Sequence, residues 1–195
     1  MNLSTEFAKE LNIDATGLLL QVRQVSSPNA DDRPAGMQPD LIIVHGISLP
    51  PGEYGGPWID QLFTNLLPAG PHPYFKQIEG LKVSTHVLIR RDGELVQYVS
   101  FDKRAWHAGV SNYQGRERCN DFSIGIELEG TDELPYEAVQ YRQLANLIVS
   151  LCRHYPSLST AHVVGHSDVA PGRKTDPGES FDWPRLRAMI AAWQR

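Results

Sequence analysis

The stretch from Phe122 to Glu129 alternates strictly between two kinds of residue, and it constrains the fold more than any other segment. Every second position is apolar, and these residues are Ile124, Ile126 and Leu128. The positions between them are small or acidic and comprise Ser123, Gly125, Glu127 and Glu129. Successive side chains of a β-strand point to opposite faces of the sheet. The segment therefore predicts a strand with one buried apolar face and one face that carries polar groups.

The rest of the chain alternates between strand-like and helix-like segments. Leu41 to Val44 is a continuous apolar run, which is typical of a buried central strand, and His45 ends it. Apolar residues at helical spacing predict helices over residues 57–67, over residues 135–154 and from Asp182 to about Trp193. We expect Asp182 to cap the last of these helices, and Leu66 to lie on the buried face of the first.

Two further segments complete the expected architecture. Residues 83–90 and 95–99 predict a hairpin around Arg91-Asp92-Gly93-Glu94, where the Asp-Gly pair favours a type I′ turn. Residues 101–120 are polar and predict a long loop with little regular structure. His162 to Val164 predicts a short strand. Taken in order, the segments predict an α/β (α+β) fold in which helices flank a single mixed β-sheet.

Composition limits the classes of protein to which the chain can belong. With 195 residues, of which 41% are hydrophobic and 21% charged, the sequence predicts one soluble domain over residues 1–195, with residues 1–24 as an N-terminal extension of uncertain structure. The net charge of −5 and the lack of a Lys/Arg block argue against a nucleic-acid partner. Cys119 and Cys152 provide no disulfide framework. We expect a monomer.

The N-terminal residues bear on localisation. Acidic residues interrupt this part of the sequence, and its longest apolar run, Leu18 to Leu20, is far shorter than the roughly 7–15 residues of a signal-peptide core. No stretch approaches the roughly 18 apolar residues of a membrane span. We therefore expect a cytoplasmic protein that does not bind membranes.

The segment from Gly165 to Gly178 concentrates residues that perform chemistry. A short β-branched strand ends at His166, and a loop rich in Gly and Pro then carries Lys174 and Asp176 back past it. A histidine and a carboxylate on one loop suit a zinc ion, and a catalytic zinc needs a third protein ligand and an open position. The best candidate for the third ligand is His45, because it also follows an apolar strand.

Two other polar residues are candidates for catalysis. Glu127 lies on a strand that is otherwise built for burial, where a carboxylate is costly unless it has a partner or a task. It suits a general base that acts on water. Lys174 lies between His166 and Asp176, so its ammonium group can reach the same site and stabilise an oxyanion. Glu129 fits an exposed acid on the strand face.

These motifs resemble those of one enzyme family. His166, Lys174 and Asp176 followed by Pro177-Gly178 are similar to the end of zinc-dependent N-acetylmuramoyl-L-alanine amidases, which share a fold with peptidoglycan-recognition proteins. The likeness continues through Val44-His45, Ile47 to Glu53, Gly55 to Trp58 and residues 102–130, and covers roughly residues 25–183. Within this family, the motifs resemble those of the AmpD-type cytoplasmic amidases, which cut 1,6-anhydro-muropeptides.

The resemblance implies a cofactor and roles for particular residues. It implies that Zn²⁺ is bound by His45, His166 and Asp176, that Glu127 is the catalytic acidic residue and that Lys174 stabilises the oxyanion. Gly46 departs from the family pattern, in which an asparagine follows the first ligand. No side-chain contact is therefore expected from position 46.

Four residues of the polar loop are candidates for substrate binding, namely Trp106, His107, Arg118 and Asn120. Arg118 offers a planar fork for the carboxylates of a muropeptide. For His107, which lies within Trp-His-Ala-Gly, a contact with substrate and a structural role are equally compatible with the sequence. An exposed charged loop is the alternative interpretation of the segment around Arg118.

The function that the resemblance implies is hydrolysis of the amide between the lactyl group of N-acetylmuramic acid and L-alanine. Cytoplasmic cell-wall recycling and a link to β-lactamase regulation are implied in the same way, whereas the spacing of the residues alone predicts only metal-dependent hydrolysis. A non-catalytic peptidoglycan-recognition module is the main alternative, but such modules lose a ligand or the catalytic acid. A zinc peptidase is a second alternative, but it would more often carry a helical His-Glu-x-x-His pair, which this chain lacks.

Overall fold

The computed structural model describes residues 10–193, so the first nine residues of the expected N-terminal extension lie outside the described part. The described strands are β1 (Arg23–Gln24), β2 (Ala30–Asp32), β3 (Leu41–Ile47), β4 (Val87–Ile89), β5 (Leu95–Gln97), β6 (Lys103–Ala105), β7 (Asn112–Tyr113), β8 (Arg116–Glu117), β9 (Ser123–Glu129) and β10 (Val163–Gly165). The helices are α1 (Trp58–Phe63), α2 (Pro73–Gln77), α3 (Ala138–His154), α4 (His166–Val169) and α5 (Trp183–Trp193).

Six strands form one mixed sheet in the order β1-β5-β4-β9-β3-β10. β9 is central and runs parallel to both β4 and β3, and β10 runs parallel to β3. The hairpin strands β4 and β5 pair in antiparallel fashion. This arrangement confirms the predicted α/β (α+β) fold, and it brings the carboxyl ends of β9, β3 and β10 to the same edge of the sheet.

The two faces of the sheet pack against different helices. The apolar residues of β9 lie in a core cluster with the buried stripe of α3 and with Leu186 and Ile190 of α5. A second core cluster lies on the opposite face of the sheet. It joins Leu88 of β4 and Val96 of β5 to Ile59 and Phe63 of α1. Fully burying a Leu, Ile or Phe side chain contributes about 1.5–3 kcal/mol. The alternation in β9 is therefore satisfied by a core on one face.

Helix α1 is shorter than predicted, and Leu66 is 71% exposed rather than buried. The helix ends because Asn65 adopts a left-handed conformation with φ 62°. The amide of Leu66 donates to the carbonyl of Gln61 at 2.7 Å, and that of Asn65 donates to Leu62 at 3.2 Å. This bonding pattern is a Schellman motif, which satisfies the last carbonyl groups and reverses the chain.

Near the other end of the chain, Asp182 caps α5 as predicted. Its side chain accepts a hydrogen bond from the Arg185 amide at 2.9 Å.

The hairpin between β4 and β5 was predicted correctly, but its turn type was not. A type I′ turn needs a positive φ at both central residues. Here Gly93 has φ 89° and Asp92 is not among the positive-φ residues. The Gly93 amide donates to the Arg90 carbonyl and the Arg90 amide donates to the Glu94 carbonyl, both at 2.9 Å. The loop is therefore one residue longer than a two-residue turn, with glycine in the left-handed position.

The prediction that residues 101–120 have little regular structure was wrong. β6 pairs with β2, and β7 pairs with β8. A type I′ turn joins β7 and β8, since Gln114 and Gly115 have φ values of 52° and 84°. These strands are two or three residues long, which is too short for alternation to be visible in the sequence.

Glu129 was expected to be an exposed acid, yet it is 2% exposed. Its carboxylate accepts from the Gly55 amide at 2.8 Å and from the Arg91 amide at 3.2 Å. Arg90 Nη1 lies 3.3 Å from the same carboxylate. Glu129 therefore ties the glycine-rich loop before α1 to the β4–β5 hairpin. The partners are distant in sequence, so a local pattern could not reveal them.

The buried carboxylate of Glu129 gives a testable prediction. Replacing Glu129 with alanine leaves two amides and part of the Arg90 charge without an acceptor. Because Arg90 keeps its contacts with Asp60 and Glu94, we expect the free energy of unfolding to fall by about 3 kcal/mol, the lower end of the cost of breaking a buried pair. Urea denaturation measures this, with exposed Glu133→Ala as the matched control. A loss equal to that of the control would contradict the assignment.

Candidate metal and active site

Parallel strands bring the predicted site residues to one edge of the sheet. His45 lies within β3, two residues before its end rather than at its end as predicted, and it pairs in register with Glu127 of β9. His166 follows β10 directly and begins α4. Asp176 lies on the loop after α4, and its carbonyl accepts from the Ser167 amide at 3.0 Å. The loop is thereby held against the strand end that supplies His166.

Three side-chain atoms converge at this edge. His45 Nδ1 and His166 Nδ1 are 3.0 Å apart, and Asp176 Oδ2 lies 3.2 Å from the first and 3.0 Å from the second. Both histidines are nearly inaccessible to solvent. Their ligand atoms form a group that could hold a metal ion.

The chemistry of these donors fits a metal cation. His166 Nε2 lies 3.2 Å from the Ala108 carbonyl, which can only accept a hydrogen bond. Nε2 therefore carries the proton, and Nδ1 presents a lone pair toward His45 and Asp176. Two imidazole nitrogen atoms and one carboxylate oxygen that meet at about 3 Å are a donor set that suits a metal cation. Two histidines and one carboxylate are a common protein ligand set, and they leave a coordination position open.

Burial keeps His45 and His107 neutral. It lowers the pKa of His45 to about 4. It also holds the pKa of His107 well below the usual range, and the nearby His45 adds to the effect. Neutral imidazoles are the form that binds metal ions.

Glu127 lies beside the three ligands with an unsatisfied oxygen. Its Oε2 is buried and has no hydrogen-bond partner among residues 10–193. Burial raises the pKa of Glu127 well above its usual range, and the neighbouring Asp176 charge adds to this. A carboxyl group whose pKa is raised in this way is a candidate for proton transfer in catalysis.

The five predicted metal and catalytic residues line one cleft with a volume of about 260 Å³. Lys174 lies at its exposed rim, whereas His45, His166, Asp176 and Glu127 lie deeper. The apolar wall of the cleft includes Leu49, Leu62, Phe63, Ile78 and Leu81. The cleft thus combines a metal-competent cluster, the carboxyl group of Glu127, the ammonium group of Lys174 and an apolar surface.

The structure brings only one of the four predicted substrate-binding residues into this cleft. His107 lines it, and its ring lies against His45. Asn120 Oδ1 accepts from the amides of His107 and Ala108 at 3.1 and 2.7 Å, so its side chain holds the loop. Trp106 is half-buried outside the cleft. Arg118 lines a neighbouring groove of about 510 Å³ and lies 3.3 Å from Asp121.

Sequence reasoning missed the role of Tyr136, although Gly46 was a signal. The Tyr136 hydroxyl donates to the carbonyl of Pro177, the residue after Asp176, at 2.9 Å. A Cβ atom on Gly46 would lie 2.3 Å from that hydroxyl oxygen, and one on Gly130 would lie 2.4 Å from Tyr136 Cε1. Both glycines therefore make room for the tyrosine that holds the Asp176 loop.

The fold and the site together define a class, a hydrolase with a metal-competent His-His-Asp cluster at the edge of a mixed sheet. The family model for N-acetylmuramoyl-L-alanine amidases matches residues 35–179. The chain therefore belongs to the N-acetylmuramoyl-L-alanine amidase family, as its motifs predicted.

Within the family, the chain is similar to particular amidases in sequence and in structure. The chain is 62% identical to the 1,6-anhydro-N-acetylmuramyl-L-alanine amidase AmpD of Salmonella typhimurium (strain SL1344) over 175 residues, which are 90% of this chain and 93% of the relative. A crystal structure of a selenomethionine AmpD derivative matches with a TM-score of 0.89 at 60% identity, covering 92% of this chain and 99% of the other. Escherichia coli AmiD, in complex with anhydro-N-acetylmuramic acid-L-Ala-D-γ-Glu-L-Lys, matches with a TM-score of 0.57 at 25% identity, covering 93% and 66%.

Within residues 10–193, no helix has both the length and the apolar content needed to cross a bilayer.

The contact between Gly46 and Tyr136 generates a second prediction. We expect Gly46→Ala to lower the free energy of unfolding by about 1–3 kcal/mol, because the new methyl group displaces the tyrosine hydroxyl. In a Tyr136→Phe background the cost should shrink, since the nearest remaining atoms would be 3.6 Å away. Urea denaturation of the four proteins forms a double-mutant cycle.

Gly70→Ala is the matched control for this cycle, because a Cβ atom there has no neighbour within 4 Å. Equal costs of Gly46→Ala in both backgrounds would show that Tyr136 is not the obstacle.

Proposed function

We propose that this chain is a zinc-dependent amidase. Its reaction is hydrolysis of the amide between the lactyl group of 1,6-anhydro-N-acetylmuramic acid and the L-alanine of a muropeptide. One observation carries the proposal, the convergence of three metal-competent atoms with Glu127 and Lys174 in one cleft. Support for the substrate comes from the relative named as a 1,6-anhydro-N-acetylmuramyl-L-alanine amidase.

His45, His166 and Asp176 would hold the zinc ion through two nitrogen atoms and one oxygen atom. When bound, zinc polarises a carbonyl group and makes water more acidic. All three residues line the cleft that also carries the apolar wall.

Glu127 moves the proton in the proposed mechanism. Its carboxylate Oε2 takes a proton from the attacking water while the water oxygen bonds to the amide carbon. The same carboxyl group then donates that proton to the nitrogen of L-alanine as the carbon–nitrogen bond breaks. The products are the lactyl carboxylic acid and the free amine of the peptide. The raised pKa of Glu127 suits both steps.

Lys174 stabilises the charge that develops on the carbonyl oxygen. Its side chain lies at the rim of the cleft that contains the three metal-competent residues. The charge on the oxygen is larger in the transition state than in the substrate. An ammonium group placed there therefore accelerates the reaction rather than simply tightening binding.

The proposal extends to the substrate and to the setting of the reaction. Of the four predicted substrate-binding residues, Arg118 faces peptide carboxylates from the groove that it lines, and His107 forms part of the wall of the cleft. The enzyme acts as a monomeric single domain in the cytoplasm, in cell-wall recycling, and thereby takes part in β-lactamase regulation. The alternative, a non-catalytic recognition module, has no need for the buried Glu127 carboxyl group.

Incubation of the zinc-loaded protein with anhydro-muropeptides tests this proposal. Mass spectrometry should detect the free anhydro-sugar and a peptide that begins with L-alanine. Glu127→Gln should keep the zinc content and lose about 10²–10⁴ in turnover, because a positioned acid–base group contributes about that much. Products cut at a different bond would refute the assigned reaction, and normal turnover of the variant would remove Glu127 from the mechanism.

Lys174 gives a separate kinetic prediction. Lys174→Ala should lower kcat by about 10²–10³ with little change in KM, the usual cost of removing one oxyanion donor. Lys174→Arg should recover only part of the rate, because a planar fork does not replace a compact ammonium group. Exposed Lys76→Ala is the matched control. A raised KM with unchanged kcat would instead make Lys174 an anchor for the substrate.

A further inference from the structure

A chain of hydrogen bonds leads from the start of β9 to His45, and its direction is fixed at one end. Ser123 Oγ lies 2.6 Å from the carbonyl oxygen of Cys119. A carbonyl oxygen can only accept, so the single hydroxyl hydrogen of Ser123 is committed to that bond. Ser123 is fully buried, so no solvent competes for its hydroxyl group.

The second bond of the chain follows from the first. Ser123 Oγ also lies 3.2 Å from His107 Nε2. Because the hydroxyl hydrogen is already used, Oγ accepts here and His107 Nε2 donates. A neutral imidazole carries one proton, so His107 Nδ1 is left with a lone pair.

The third bond reaches the metal-competent cluster. His107 Nδ1 lies 2.9 Å from His45 Nε2. Since His107 Nδ1 accepts, His45 Nε2 carries the proton and His45 Nδ1 presents a lone pair toward His166 and Asp176. The Ala108 carbonyl fixes His166 in the same tautomer. Two consecutive residues of one loop therefore set the orientation of both histidine ligands.

We infer that His107 and Ser123 are positioning residues that fix the tautomer and ring orientation of His45 for metal binding. This inference rests on the metal site of the proposed function. It separates His107 from the substrate-binding residues, because both nitrogen atoms of its ring are engaged by protein groups.

The surrounding structure supports this role of His107. A Cβ atom on Gly125 would lie 2.4 Å from His107 Cγ, so only glycine leaves room for the ring on β9. Asn120 holds the amides of both His107 and Ala108. Arg33 in turn donates to the carbonyls of Asn120 and Ser123 at 3.3 and 2.9 Å. The loop and the strand that carry the chain of bonds are thus tied together.

Two measurements test the inference. Long-range ¹H–¹⁵N spectra of the metal-free and zinc-loaded protein report which nitrogen of His45 carries the proton, and competition with a chromophoric chelator gives the Kd for zinc. We expect the proton on Nε2 in both forms. His107→Phe should raise the Kd about 10–100-fold, the usual effect of removing an outer partner of a metal ligand.

Two further variants separate the hydrogen bond from packing. His107→Asn should recover most of the zinc affinity, because its Oδ1 can accept from His45 Nε2, whereas Ser123→Ala should weaken zinc binding and mix the tautomers of His107. Exposed His154→Phe is the matched control and should bind zinc as the unmodified protein does. If His107→Phe does not fold, these two variants still decide the question.

The outcomes distinguish this inference from the proposed function. If the unmodified protein binds no zinc, the metal-dependent function fails, while the spectrum of the metal-free protein still tests the chain of hydrogen bonds. A proton on Nδ1 of His45 in the metal-free protein would overturn the inference. So would a zinc Kd and a His45 tautomer that are both unchanged in His107→Phe.

Discussion

Three lone pairs that point at one another from about 3 Å are the feature on which the rest of this structure depends. His45 comes to this point from a part of the chain more than a hundred residues away from His166 and Asp176. Without a cation between them, such atoms repel, and their burial removes the solvent that would screen them. The packed sheet imposes this arrangement. Parallel pairing places Gly165 of β10 beside Val44 of β3, and the next residues in the chain are His166 and His45. A bound metal ion converts this electrostatic cost into stabilisation of the folded state.

One face of β9 serves the whole site. Ser123 orients His107, Gly125 leaves room for the His107 ring, and Glu127 places its carboxyl group beside the metal-competent atoms. Glu129, one step further, fixes the loop before α1. The opposite face of the same strand anchors the main core through Ile124, Ile126 and Leu128. A shift of register by one residue would exchange these faces, so the packing that stabilises the fold also positions the chemistry.

Periodic patterns and strand ends predicted much of this arrangement. The alternation of β9 predicted its two faces, and the loop after β10 brought Lys174 and Asp176 back to His166 as expected. Contacts between residues distant in sequence were beyond reach, because they leave no local pattern. The partners of Glu129 belong to two separate loops, and the space required by Tyr136 is visible only as two glycines. The strands β7 and β8 could not be predicted for a different reason, because a strand of two residues is too short to show a period.

The most direct test of the account is the metal content of the purified, folded protein and of its ligand variants. Elemental analysis after loading with zinc and removal of free metal should give one zinc ion per chain for the unmodified protein. His45→Ala, His166→Ala and Asp176→Ala should each lose it, because two remaining ligands do not form a tetrahedral protein site. Full zinc occupancy in all three variants would contradict the central claim that these residues form the metal site.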